Sequence, residues 1–177
     1  MRTLKKSLLY TWTLPLLIFS IAVAGVRATT VSVEPSPHPD IPEPGLTFQV
    51  NVTVQDVTNL AAYEFKLAYD TAVVNATQIE YGGIFGDTYT ELGSEINNTG
   101  GWLRYAVMQE PGEPEISGSG VLATITFNAT GPGGTGLGLY DTKLRSTPDP
   151  TDPYHTPVPI DHETIDGSVV VIPEFPL

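Results

Sequence analysis

The chain of 177 residues contains no cysteine, so disulfides cannot stabilise it and a hydrophobic core must do so. Basic residues are scarce: eight Lys and Arg stand against 20 Asp and Glu, which gives a formal charge of −12. No basic stripe interrupts this negative charge, and an acidic chain repels nucleic acid. The composition therefore excludes nucleic acid as a partner.

Catalytic motifs are also missing. The sequence has no G-x-S-x-G, no H-E-x-x-H, no P-loop and no dinucleotide fingerprint. No pair of carboxylates is singled out for glycoside hydrolysis. The sequence therefore predicts a protein that is not an enzyme and that needs no cofactor.

One acidic cluster near the end of the chain raises the question of a metal. Its members are Asp149, Asp152, Asp161, Glu163 and Asp166, whose oxygen atoms are ligands of the kind that calcium prefers. They lack the spacing of an EF-hand, so a solvated acidic loop is the favoured interpretation and no metal site is predicted.

The first 28 residues have the pattern of an export signal. Arg2, Lys5 and Lys6 precede a nearly uninterrupted apolar run, and small residues around Ala28 suit cleavage. An uncleaved membrane anchor is the alternative, because the run is about long enough to span a bilayer. Cleavage would leave four basic and 20 acidic residues, a formal charge of −16. The prediction is a signal peptide over 1–28, a domain over 29–172 and a tail over 173–177.

Strict alternation of apolar and polar residues dominates the centre of the chain. From Leu46 to Val54, and again from Tyr63 to Tyr69, every second residue is large and apolar. A half-buried strand separates such sets onto two faces, whereas a helix would scatter them. Asp and Asn between the two runs predict a turn from Asp56 to Leu60.

Similar patterns predict further strands, with no convincing helix. The segment from Ile84 to Asn98 is irregular and is predicted to hold a short helix or a minor strand. Loops rich in Gly, Pro and acidic residues are predicted at Glu110–Gly120 and Ser146–Pro159. The other predicted strands are Thr30–Glu34, Val73–Tyr81, Trp102–Gln109, Val121–Thr130, Leu137–Leu144 and Ile165–Ile172. Eight or nine strands of this kind indicate an all-β sandwich or jelly roll.

The order of these motifs resembles a cohesin domain, the module that receives dockerins in cellulosome-type assemblies. The resemblance rests on AAYEFKLAYD, then on GVLATITFNATGPGGTGLGL and the closing DGSVVV, and it extends from about Thr30 to Ile172. It implies a nine-stranded jelly-roll β-sandwich and a non-catalytic, secreted or surface-displayed module. The implied partner is a protein, a dockerin in the first instance.

The resemblance also implies which surface binds that partner. In the family the docking face comes from the strands that match Ala61–Tyr69, Trp102–Gln109 and Leu137–Leu144. By position, the outward residues expected to line it are Ala62, Glu64, Lys66, Arg104 and Met108.

Two other functions stay open on the same fold. A carbohydrate-binding module, with a polysaccharide as its ligand, would present a planar row of aromatic side chains. Alternation predicts Tyr63, Tyr69 and Tyr105 to point inward, and the candidates for outward aromatics lie on scattered elements: Trp102, Tyr89, Tyr140 and Tyr154. The third function is a structural subunit of a surface layer or fibre, joined through edge strands or Pro-rich ends.

Four Asn-x-Ser/Thr sequons are candidate glycosylation sites: Asn51, Asn75, Asn97 and Asn128. Asn51 and Asn128 are predicted on outward strand positions. In the cohesin arrangement their strands, together with the strand of Asn75, form the sheet opposite the docking face. The hypothesis is that sugars cover that sheet and leave the other sheet free to work; Asn and Thr also simply suit exposed strands.

The last residues, Pro173 to Leu177, resemble the Pro-Glu-Phe sorting motif of some archaeal surface proteins. In those proteins the motif precedes a membrane helix and a basic tail. Membrane attachment is expected only through the signal segment or through a lost C-terminal anchor.

Overall fold

The computed structural model describes residues 28–41, 43–148, 151 and 156–173, and the chain forms eleven strands within them. All but the last residue of the predicted signal peptide, and residues 174–177 of the predicted tail, lie outside the described residues. The strands are β1 (Thr30–Glu34), β2 (Thr47–Leu60), β3 (Ala62–Ala68), β4 (Val74–Tyr81), β5 (Tyr89–Asn97), β6 (Trp102–Gln109), β7 (Ile116–Ala129), β8 (Gly133–Pro148), β9 (Pro157–Pro159), β10 (Glu163–Ile165) and β11 (Gly167–Val171).

The strands form two sheets. One has the order β10-β1-β2-β7-β4, and the other has the order β11-β8-β3-β6-β5, with β9 paired to β8. Neighbouring strands are antiparallel except for β1 and β10. The predicted all-β sandwich is confirmed. The described residues hold eleven strands rather than nine, since β9 and β10 add two segments of three residues each.

The core lies between the two sheets and is built from the inward positions of the alternating runs. On β3, Tyr63, Phe65 and Leu67 are buried, as are Tyr69 and Tyr105. The three tyrosines predicted to point inward do so. Burial raises the pKa of Tyr63 and of Tyr105, because the phenolate would lose its hydration inside the sandwich.

The turn predicted from Asp56 to Leu60 is wrong, because β2 continues to Leu60. Its register with β7 shifts twice beyond Val54, and Asp56 and Asn59 take positive φ angles of 52° and 58°. Each bulge absorbs additional residues in β2 without ending the pairing. The chain crosses to the other sheet only at the next residue, Ala61.

Three more predicted intervals can be compared with the structure. Of the two alternatives for Ile84–Asn98, a strand is observed and a helix is not: the interval contains β5, which has nine residues. The predicted loop Glu110–Gly120 is shorter, since β7 begins at Ile116. In the predicted loop Ser146–Pro159, β8 continues to Pro148 and β9 occupies the last three residues.

The last predicted strand, Ile165–Ile172, is in fact parts of two strands in different sheets. β10 pairs with β1, whereas β11 pairs with β8, so the chain crosses between the sheets at Asp166. Gly167 lies at this crossing, where an added Cβ would lie 2.7 Å from the Val33 side chain. Only glycine allows so close an approach.

Within the described residues, no helix is long and apolar enough to cross a membrane.

Candidate partner-binding face

The five residues predicted to bind a partner lie on one surface of the sandwich. On β3 the inward residues are buried, while Ala62, Glu64 and Lys66 point outward and are half-buried. The pairing of β3 with β6 sets Met108 opposite Ala62 and Arg104 opposite Lys66. Alternation and register together therefore bring all five residues to the outer surface of the same sheet.

Strand β8 adds residues that the sequence analysis did not single out. Its pairing with β3 sets Lys143 opposite Glu64 and Arg145 opposite Ala62. The register shifts between Glu64 and Lys66, and Asp141 on β8 has a φ of 48°, so a bulge interrupts the period of two there. We call the outer surface of β8, β3 and β6 the charged face. Its charged residues are Glu64, Lys66, Arg104, Asp141, Lys143 and Arg145.

Two carboxylates hold three cations together on this face. The Arg104 Nε donates to the Glu64 Oε1 at 2.6 Å, and the Lys143 Nζ lies 3.6 Å from the Glu64 Oε2. The Asp141 carboxylate lies 3.1 Å from the Lys143 Nζ and 2.9 Å from the Lys66 Nζ. These contacts form one continuous ion-pair network across β3, β6 and β8.

The network shifts the pKa of its members. The hydrogen bond from Arg104 holds the pKa of Glu64 below its ordinary value, and the nearby charges of Arg104 and Lys143 act in the same direction. Hydrogen bonds from Lys66 and Lys143 lower the pKa of Asp141. The pKa values of Lys66 and Arg104 are raised by their hydrogen bonds to Asp141 and Glu64. All these groups therefore stay ionised at neutral pH.

The charged face contains every basic residue that follows position 28: Lys66, Arg104, Lys143 and Arg145. Its three strands carry two outward acids, Glu64 and Asp141, which gives these strands a formal charge of +2; Glu95 on the neighbouring β5 is the register partner of Arg104 and adds a negative charge beside them. The other 18 acidic residues of the chain lie elsewhere. Strand spacing alone could not have revealed this concentration, because it depends on which strands become neighbours.

An apolar groove of about 680 Å³ adjoins one end of the charged face. Ala62, Leu92 and Met108 line it together with prolines of the neighbouring loops, and three charged residues also line it: Glu110, Glu113 and Arg145. Leu92 has 56% of its surface exposed. It lies at a register shift between β5 and β6, which turns its side chain outward. Sequence alternation missed Leu92 for this reason.

The aromatic side chains do not form a row on this face. Among the described residues of β8, β3 and β6, the outward aromatics are Trp102 and Tyr140. Tyr140 is 41% exposed, and the Lys66 Nζ lies 5.8 Å from its ring centroid. Tyr89 stacks on Tyr81 with a centroid separation of 3.8 Å. Tyr154, another candidate, lies outside the described residues.

The acidic cluster shows no metal site where it can be described. Across residues 28–41, 43–148, 151 and 156–173, no group of His, Asp and Glu side chains is arranged to hold a metal ion. The Asp166 Oδ1 instead accepts the backbone N–H of Leu139 at 2.9 Å. Asp149 and Asp152 lie outside the described residues.

Three of the four sequons lie on the opposite sheet. Asn51 is on β2, and Asn75 on β4 is the register partner of Asn128 on β7. Asn97 is the last residue of β5, at the edge of the sheet that carries the charged face. Its Oδ1 accepts the backbone N–H of Gly100 at 2.8 Å within the hairpin that leads to β6.

Comparison with known proteins identifies the fold and the family. The family model of the cohesin domain matches residues 39–171. "Cellulose-binding protein A" of Clostridium cellulovorans is 28% identical over 134 residues, which is 75% of this chain but 7% of that protein's length.

Two solved structures illustrate the likeness in three dimensions. A non-cellulosomal cohesin from the archaeon Archaeoglobus fulgidus superposes with a TM-score of 0.63 at 16% identity, covering 82% of this chain and 92% of that one. The third cohesin of ScaC from Acetivibrio cellulolyticus, solved with the ScaB dockerin, gives a TM-score of 0.63 at 19% identity, covering 81% and 99%. Because the family model spans most of the chain and the fold agrees, the protein belongs to the cohesin domain family.

Proposed function

We propose that the protein is a non-catalytic binding module that engages a dockerin-type protein through its charged face. The observation that carries this proposal is the composition of that face: an ion-pair network lies beside an apolar groove, on the outer surface of one sheet. Protein interfaces combine apolar anchors with charged groups that select the partner. Membership of the cohesin family supports the choice of partner.

The five predicted residues contribute to the two parts of the face. Glu64, Lys66 and Arg104 belong to the ion-pair network, and Ala62 and Met108 line the groove. The Met108 side chain is apolar, unbranched and flexible, so it adapts its shape to a partner's side chain.

Calorimetry with purified dockerin-type proteins, in calcium and in chelator, tests the proposal. We expect binding that requires calcium, because such partners carry paired Asp-rich calcium loops. Met108→Asp should weaken binding at least tenfold, since it puts an unpaired charge into the groove. Gln55→Asp, on the outer surface of the opposite sheet, is the matched control and should leave affinity unchanged.

Other outcomes would point to the two remaining functions. If a soluble polysaccharide slowed the protein in a native gel and no dockerin bound, the proposal would be contradicted and a carbohydrate-binding module would be favoured. Filaments of the purified protein in electron micrographs would favour a structural subunit.

The same proposal locates the module outside the cell. The charged N-terminal start and apolar run over residues 1–28 support export. Sequencing of the protein from its native host should find Thr29 as the first residue. A chain that starts at Met1 would contradict cleavage at this point.

Glycans are proposed to cover the sheet opposite the charged face. The positions of Asn51, Asn75 and Asn128 support this arrangement. Glycopeptide mapping should find sugar on that sheet. Sugar on Asn97 alone would contradict the hypothesis, because β5 belongs to the sheet of the charged face.

A further inference from the structure

Three of the four sequons are held on both sides by the fold. Asn51 lies on β2, which pairs with β1 and β7, and Asn128 lies on β7, which pairs with β2 and β4. Asn75 lies on the edge strand β4, where the N–H of the next residue, Ala76, donates to the Asn98 Oδ1. The Ala76 carbonyl accepts from the Asn98 Nδ2, so this edge is occupied as well.

The hydroxyl groups of the same three sequons are also engaged. The Thr53 Oγ1 lies 2.9 Å from the Oγ of Ser32, which is buried. Thr77 and Thr130 each donate to a backbone carbonyl at 3.1 Å. Only Ser or Thr completes a sequon, so the hydroxyl is what this position offers to a transferase. A transferase could use these three sequons only after the sheet had opened.

The Asn97 sequon is held differently. Asn97 ends β5, an edge strand within the described residues, and Asn98 and Thr99 lie in the turn of residues 98–101. Thr99 is exposed, and its hydroxyl forms no hydrogen bond within the part of the chain that the structure describes. The Asn97 Oδ1 accepts the N–H of Gly100 at 2.8 Å. A sugar is attached to Nδ2, so this bond survives the modification.

An aromatic ring lies beside the point of attachment. Trp102 is the register partner of Asn97, and both residues lie on the outward side of the sheet. A Cβ at Gly100 would lie 2.7 Å from the Trp102 Nε1 and 3.3 Å from the Asn97 Oδ1, so the two side chains approach each other over this glycine. The half-buried Trp102 ring therefore offers an apolar surface on which a sugar ring can pack.

The same position lies near one end of the charged face. Arg104 follows Trp102 by two residues on β6, about 7 Å along the strand. The register places Arg145 at the level of Met108, about 20 Å from Trp102 along the strands. A bulky sugar on Asn97 would therefore cover Arg104 and leave Arg145 accessible.

We propose that Asn97 is the sequon that is glycosylated on the folded chain, and that its sugar covers the Arg104 end of the charged face. Sugars on Asn51, Asn75 and Asn128 must then be added before their sheet forms. The consequence for partner binding rests on the proposed function, whereas the choice of residue does not.

The transfer requires an activated donor, an oligosaccharide carried on a polyprenyl diphosphate. The Asn97 Nδ2 attacks the anomeric carbon of the sugar, and the bond from that carbon to the diphosphate oxygen breaks. The polyprenyl diphosphate leaves with the electron pair, and a base of the transferase takes one amide proton. No atom is oxidised or reduced.

Transfer to the folded full chain tests this choice of residue. A purified oligosaccharyltransferase that accepts synthetic peptides of all four sequons is given the folded chain and the same donor. Mass spectrometry compares the rate at each site with the rate of its peptide. We expect Asn97 to keep its peptide rate within about tenfold and the other three sites to be slowed at least about a hundredfold, because the sheet must open locally before transfer.

Two threonine variants provide matched controls. Thr99→Ala should abolish transfer to the folded chain. Thr130→Ala removes another sequon in the same way and should leave that transfer unchanged. Circular dichroism of both variants checks that the fold is retained.

Arginine labelling with phenylglyoxal measures the covering of the face without any partner. A sugar on Asn97 should slow the labelling of Arg104 several-fold and leave that of Arg145 unchanged. The glycosylated chain should also bind a dockerin-type protein more weakly than the Thr99→Ala chain treated in the same way, because the sugar chain must be ordered or displaced.

Several outcomes would overturn the proposal. One is comparable transfer to Asn51, Asn75 or Asn128 on the folded chain; another is a folded chain whose Asn97 stays unmodified. Equal labelling of Arg104, or equal dockerin affinity, with and without the sugar would also overturn it.

The transfer and dockerin experiments separate the two proposals. If no dockerin bound but the sugar on Asn97 still protected Arg104, the proposed function would fall and the present proposal would stand. If a dockerin bound but the folded chain was not modified at Asn97, the function would stand and the present proposal would fall.

Discussion

The outer surfaces of the two sheets are built from different kinds of side chain. On β2 up to Gln55 and on β7 from Thr124, the outward positions hold uncharged polar residues, which we call the neutral face: Gln49, Asn51, Thr53, Gln55, Thr124, Thr126 and Asn128. The charged face of the other sheet holds long ionised side chains instead. The core beneath the two surfaces is shared.

The difference shows how one sandwich separates stability from recognition. On the neutral face, polar groups pair across strands: Thr124 donates to the Asn51 Oδ1 at 2.9 Å, and Gln49 donates to the Thr126 Oγ1 at 3.2 Å. These uncharged side chains use part of their hydrogen-bonding capacity on each other. Long ionised side chains keep donors available, and electrostatic attraction acts over a greater distance.

The largest expected effect concerns the shared core. Phe65 lies beneath the charged face and Phe127 beneath the neutral face, and both are completely buried. Replacing either by Ala should lower the free energy of unfolding by about 3–5 kcal/mol, because each leaves a cavity. Urea denaturation measures both values. A loss below about 1 kcal/mol for one of them would show that its sheet contributes little to the core.

A smaller effect on the free energy of unfolding should distinguish the two sheets, because only the ion pairs of the charged face are screened by salt. Ser32, beside β2, is 1% exposed and forms a hydrogen bond of 2.9 Å with Thr53. Ser32→Ala should cost about 1 kcal/mol at any salt concentration. Glu64→Gln should cost less than about 1 kcal/mol, because Glu64 and its partners reach solvent, and this cost should shrink as salt rises.

Denaturation of both variants at about 50 and about 500 mM NaCl is the measurement that compares them. If salt changed the free-energy cost of Ser32→Ala as much as that of Glu64→Gln, the expected difference between the two sheets would be contradicted.

The smallest effect is a pH dependence confined to the charged face. The pKa values of Glu64 and Asp141 are lowered in the folded protein, so their ionised forms stabilise the fold. This contribution is complete above the unfolded values of about 4.3 and 3.9, and it is lost as pH falls through the lower folded values.

Carboxyl carbon titration by nuclear magnetic resonance should give midpoints below those ordinary values for both residues. Lys143→Gln should raise both midpoints, because its ammonium lies 3.6 Å from Glu64 and 3.1 Å from Asp141. Midpoints that do not respond to this substitution would show that the network is not formed in solution.

Alternation in the sequence correctly predicted the buried side of β3 and of β2 up to Val54. It set Ala62, Glu64 and Lys66 on the outward side of β3 and Arg104 and Met108 on the outward side of β6, and the family resemblance predicted that these two sets share one surface. Whether a partner binds there stays a prediction. The inward tyrosines followed from the same rule, since side chains on a strand alternate by geometry.

Bulges explain most of what alternation could not predict. A bulged strand shifts its inward and outward positions by one, so Lys143 and Leu92 were not identified. Asp56 and Asn59 suit a turn as well as a bulge, and pairing with β7 decided between them. Asp166 likewise separates two strands because each has a partner in a different sheet.

The sequence by itself determined the sandwich class and its family, because a period of two and the order of motifs are properties of the chain alone. Only the tertiary structure decided that Lys143 and Arg145 join Lys66 and Arg104 on one surface. These residues come from three strands separated by up to 79 positions along the chain. Strand order and register bring them together, and both depend on long-range pairing.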